Sequence, residues 1–90
     1  MTEANLGHEH RDTLEKIFSH ASSGNIEWRP VLSLLEAVGV TTRLHNGKYQ
    51  VTLGRETEVF SPSEGKDIDE QMLVDVRRML RNAGFEPEPD

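Results

Sequence analysis

Val40-Thr41-Thr42-Arg43-Leu44-His45-Asn46-Gly47-Lys48-Tyr49-Gln50-Val51-Thr52-Leu53-Gly54 is the stretch whose reading decides the fold. It sets two β-branched, alternating runs on either side of Asn-Gly, the dipeptide best suited to a tight hairpin turn. With Asn46 and Gly47 as a two-residue turn, Leu44 faces Tyr49, Thr42 faces Val51 and Val40 faces Leu53. Side chains alternate across a strand, so those six share one face. Thr41, Arg43, His45, Lys48, Gln50 and Thr52 then share the other. The first set suits packing against helices. The second is polar, partly basic and free of acids, which makes it the expected working surface.

Helical periodicity flanks the hairpin on both sides. Upstream, Leu14, Ile17, Phe18 and Ala21 recur at helical spacing over about residues 10–21, with Asp12 and Glu15 placed for a capping box. Trp28, Val31, Leu32, Leu35 and Val38 form the stripe of a second helix over 28–38. Pro30 is tolerated in its first turn, and Gly39 reads as its C-terminal cap. Downstream, a third strand is expected at 57–60. A three-residue turn, Gly54-Arg55-Glu56, is preferred there because it pairs Val51 with Val59. A two-residue turn would set Val51 against Glu58. Asp67 and Glu70 suggest a capping box for a last helix reaching Asn82, with Met72, Leu73, Val76, Met79, Leu80 and Ala83 inward. Arg77, Arg78 and Arg81 sit near its end, where cations suit the helix dipole.

The order α-α-β-β-β-α predicts an α+β, two-layer sandwich: a three-stranded antiparallel meander with helices on one face. Ninety residues allow one domain. It is expected over 9–85, with 1–8 as a leader and 86–90, carrying Glu86, Glu88 and Asp90, as an acidic tail. No apolar run approaches the roughly 20 residues of a membrane span, and the first residues carry no secretory pattern. There is no cysteine, so disulfide and thiolate chemistry are excluded and a cytoplasmic setting is expected. The net charge of −6 argues against a general nucleic-acid coat protein. The interval between Glu36 and Glu56 is nevertheless free of acids and holds Arg43, Lys48 and Arg55.

The segment Val31-Leu32-Ser33-Leu34-Leu35-Glu36-Ala37-Val38-Gly39, the strand entry Asn46-Gly47-Lys48-Tyr49-Gln50-Val51 and the closing Met79-Leu80-Arg81-Asn82-Ala83-Gly84-Phe85 together resemble HicA-type mRNA interferase toxins. The resemblance covers about residues 28–85. It implies an α-β-β-β-α core like the double-stranded-RNA-binding fold and a link to RNA and to an antitoxin-like protein partner. The family's Gly-Ser-His, whose His is taken as the catalytic residue, reads Gly47-Lys48-Tyr49 here.

His45 is the one substitute candidate for catalysis, and no acid–base partner is evident for it. Arg43, His45, Lys48, Gln50 and Arg55 are the candidates for contact with RNA or a protein partner. His8, His10 and His20 do not make a four-ligand metal set, and no cofactor motif is present. The expectation is a HicA-like, non-catalytic binding domain working through its open sheet face. The alternatives are a protein-interaction or regulatory module, including a homodimer, and an mRNA interferase toxin.

Overall fold

A computed structural model describes residues 7–19, 26–62 and 68–85. The elements follow the expected order: α1 (His8–Phe18), α2 (Trp28–Val38), β1 (Val40–Arg43), β2 (Tyr49–Leu53), β3 (Glu56–Phe60) and α3 (Glu70–Asn82). The three strands form one antiparallel sheet in the order β1-β2-β3. Helices cover one side. Leu14 and Ile17 of α1, Val31, Leu34 and Leu35 of α2, Val51 and Leu53 of β2, Phe60 of β3, and Met72, Leu73, Val76, Met79 and Leu80 of α3 make the core.

Helix ends differ from expectation at three places. The first helix begins at His8, capped by backbone at Gly7, whose carbonyl accepts from Arg11 N–H at 3.0 Å. Asp12 and Glu15 therefore lie inside the helix, and Glu9 is the acid that meets the positive end of the dipole. Its last helical residue is Phe18; Ala21 lies outside the described residues. The last helix is capped by Asp69, whose Oδ1 accepts from Met72 N–H at 2.9 Å. The cap thus sits two residues beyond the expected Asp67, with Met72 at the third helical position and therefore no capping box; Asp67 lies outside the described residues. Ile68 and Leu73 then occupy the two positions of a hydrophobic staple, and both are buried.

Gly39 ends α2 for a different reason than a left-handed cap. Its φ is −154°, and a Cβ on it would run into the carbonyl oxygen of Thr52 and Cδ2 of Leu53. Only a residue without a side chain lets the chain pass this close to β2 as it turns into β1. At the other end of the fold Gly84 does take a positive φ, +90°. Phe85 N–H donates to Leu80 O at 2.8 Å and Gly84 N–H to Arg81 O at 3.0 Å, a Schellman motif that closes α3 and returns Phe85 to the core.

Both strand registers are one residue away from the expected ones. In the first hairpin Thr41 pairs with Val51, Thr42 with Gln50 and Arg43 with Tyr49. Leu44 N–H donates to Lys48 O at 2.8 Å and Gly47 N–H to Leu44 O at 3.2 Å, so the loop holds three residues. Asn46 keeps a negative φ and Gly47 alone is positive, at +85°. That is a type I turn closed by a glycine bulge rather than a two-residue type I′ turn. In the second hairpin Val51 pairs with Glu58 and Leu53 with Glu56, across a two-residue turn at Gly54-Arg55. Gly54 has φ +59° and Arg55 is not positive, the pattern of a type II′ turn.

The second register brings Glu56 and Glu58 to the helix side of an edge strand. Arg78 of α3 meets them there, with Nη2 3.0 Å from Glu58 Oε2 and Nε 3.7 Å from Glu56 Oε2. Its Nη1 also donates to Asp75 Oδ1 at 3.0 Å, and Asn82 Nδ2 donates to Glu56 Oε2 at 3.1 Å. Partial desolvation pulls the Arg78 guanidinium down, but the hydrogen bond to Asp75 and the nearby carboxylate charges outweigh it and hold it above its ordinary range. Acids on the inner side of β3 are therefore accommodated by a cation twenty residues away.

Candidate functional site

The shifted registers redraw the sheet's two faces. Tyr49, Val51 and Leu53 point to the helices as expected, joined by Phe60, Glu58 and Glu56 of β3. From β1, however, it is Thr41 and Arg43 that share their side. The hydroxyl of Thr41 confirms the orientation by reaching Glu36 Oε2 of α2 at 3.5 Å. The open face consequently holds Val40 and Thr42 from β1, Gln50 and Thr52 from β2, and Thr57 and Val59 from β3. Val40 is 65% exposed and Val59 49%. Thr52 and Thr57 stand opposite each other with their hydroxyls 2.9 Å apart.

The five sequence-derived contact residues do not converge. Lys48 and Gln50 lie on the open side by alternation along the strand. Arg43 is on the opposite side, which corrects its expected place. His45 is exposed in the first loop, and Arg55 is exposed in the second turn. Lys48 and Arg55 mark opposite ends of β2, roughly 23 Å apart at about 3.3 Å per residue. The open face is thus uncharged along its length, with a cation toward each end. Its apolar members, Val40 and Val59, were missed by sequence reasoning because finding them required the right registers.

No side-chain hydrogen bond or ion pair engages His45 among the described residues, so it has no partner for general acid–base work. Tyr49 opens β2 on the inner face of the sheet. Its ring packs on Trp28 with centroids 5.5 Å apart, and Phe60 completes the cluster at 6.1 Å from Trp28. These aromatics face the helices and are absent from the open face.

The arginines of α3 are tied into the structure. Arg77 Nε donates to Ile17 O at 2.7 Å, at the carboxyl end of α1 where a cation is favoured. Arg78 holds the acids of β3, and Arg81 lies over the Phe18 ring at 5.5 Å. On the α1 side, His10 Nε2 lies 3.1 Å from Ser33 Oγ. Among the described residues no three His, Asp or Glu side chains are grouped to hold a metal ion; His20 lies outside them. No helix among those residues is long and apolar enough to cross a membrane.

Compared with known proteins, the chain matches no family model, no curated protein and no solved structure.

Proposed function

We propose that this chain is a small non-catalytic binding module of the cytoplasm that holds a protein partner against its open sheet face. The observation that carries the reading is the exposed, uncharged strip of Val40, Thr42, Gln50, Thr52, Thr57 and Val59. Phosphate recognition asks for convergent cations, and this strip has only Lys48 and Arg55, one toward each end and roughly 23 Å apart at about 3.3 Å per residue. Single-stranded bases stack on exposed aromatic rings, whereas Tyr49 and Phe60 turn away from the strip. Threonine hydroxyls, one amide and two valines are better matched to a protein surface with mixed apolar and hydrogen-bonding groups. The resemblance to HicA-type domains supports a binding fold, and Gly47-Lys48-Tyr49 in place of Gly-Ser-His supports the absence of nuclease chemistry.

Site-specific photo-crosslinking in cells tests this reading. A crosslinker at Gln50 or Thr57 is expected to capture one discrete protein, and one at Glu15 on the exposed side of α1 is expected not to. Val59→Asp should abolish the adduct. The same preparation, titrated with labelled RNA at low salt, should show no saturable binding. RNA binding that weakens with salt and with Lys48→Glu, or adducts equally strong from Glu15, would overturn the proposal.

A further inference from the structure

The two edges of the sheet differ in how they are protected. Inward-pointing charges on an edge strand discourage pairing with another chain. On β3 those charges are Glu56 and Glu58, and both are held by Arg78 within the same molecule. On β1 the inward charge is Arg43, which has no ion-pair partner among the described residues. Two residues away, Thr41 touches Glu36, whose carboxylate takes part in no ion pair there.

The hydrogen-bond pattern of β1 fixes which backbone groups face outward. Leu44 bonds to Lys48, so by antiparallel alternation Thr42 and Val40 bond to Gln50 and Thr52. The N–H and C=O of Thr41 and Arg43 therefore point away from the sheet.

We propose that β1 pairs antiparallel with β1 of a second copy of this chain, making one six-stranded sheet about a two-fold axis. In the register centred on Thr42, Thr41 of each copy stands opposite Arg43 of the other. No backbone hydrogen bond engages their outward groups among the described residues, so each pair exchanges two hydrogen bonds. The same register sets Arg43 of one copy beside Glu36 of the other and Val40 opposite Leu44 on the open side, at the 4.5–5.5 Å Cβ spacing typical of cross-strand pairs. A register one pair further along sets Arg43 against Arg43, and the pairing is unfavourable. This interface is independent of the open-face reading, although it bears on it. Three strands of four, five and five residues present about 14 by 13–17 Å, and doubling the sheet doubles that surface.

Sedimentation equilibrium of the intact chain, from micromolar to millimolar concentration, tests the pairing. A monomer–dimer equilibrium is expected. Arg43→Glu or Glu36→Arg alone should weaken the dimer about tenfold by setting like charges against each other at two symmetric places. The double exchange should restore it. Thr41→Pro removes an outward N–H at an edge position that tolerates proline and should abolish the dimer, with circular dichroism reporting that the fold is kept. A monomer at every concentration would overturn the proposal, as would a dimer indifferent to the charge exchange. None of these variants alters Thr57 or Val59, so crosslinking from β3 reports on the other reading separately.

Discussion

Replacing Gly39 with alanine should destabilise this protein more than its small size suggests. The added Cβ meets the carbonyl oxygen of Thr52 and Cδ2 of Leu53. The leucine methyl can swing aside. The carbonyl cannot, because Thr52 pairs with Val40 on one side and Thr57 on the other. Relief therefore requires α2 or β1 to move, and overpacking of this kind costs about 2–3 kcal/mol. A domain of this length has about 5–15 kcal/mol in total, and each kcal/mol moves Tm by about 4–8 °C. The expected fall is roughly 10–20 °C. Trp28, the sole tryptophan and 8% exposed, reports the transition by fluorescence in urea or heat. Gly7→Ala is the matched control, since nothing lies within 4 Å of its new Cβ. Gly47→Ala is the informative contrast: its site is open, but φ is +85°, so the cost is backbone strain of about 1–2 kcal/mol. If Gly39→Ala melts within about 3 °C of wild type, the close approach of α2 to β2 is wrong.

Other perturbations probe separate parts of the fold. Asp69→Ala should cost about 1 kcal/mol by removing the cap on Met72 N–H, and Asp69→Asn should recover most of it in urea unfolding. Leu35→Ala, at a fully buried position of α2, should cost about 2–5 kcal/mol in the same assay. Arg78→Ala should lower Tm by leaving Glu56, Glu58 and Asp75 facing one another. The loss should shrink at about 1 M salt, where the screening length falls to about 3 Å. Trp28 emission should be blue-shifted in the folded chain and move red on unfolding, as its ring lies against Tyr49 and Phe60.

The element order was legible in the sequence because each helix carries its own apolar stripe and each strand its own alternation. The extent of α2, from Trp28 to Val38, follows directly from that stripe and its glycine. Registers were harder to read because their deciding contacts are not local. Asn46-Gly47 is compatible with a two-residue turn or with a three-residue loop in which only glycine goes left-handed. A two-residue second turn looks unfavourable only on the premise that Glu58 belongs in solvent. Arg78 removes that premise, and its role as a counter-charge is invisible until α3 is laid against β3. The candidate site dispersed for the same reason: moving β1 by one residue carries Arg43 away from Lys48 and Gln50.

The three-residue loop at His45-Asn46-Gly47 therefore acts as a parity setting. A loop of odd length gives this molecule a neutral outer surface and keeps Arg43 on the inner one. Pairing His45 with Lys48 across a two-residue turn at Asn46-Gly47 would instead turn β1 over, carrying Arg43 outward to join Lys48 and drawing Val40 inward. The molecule lies one slip of register away from exchanging an uncharged outer strip for one that sets Arg43 beside Lys48, with the pairing of β2 and β3 left in place.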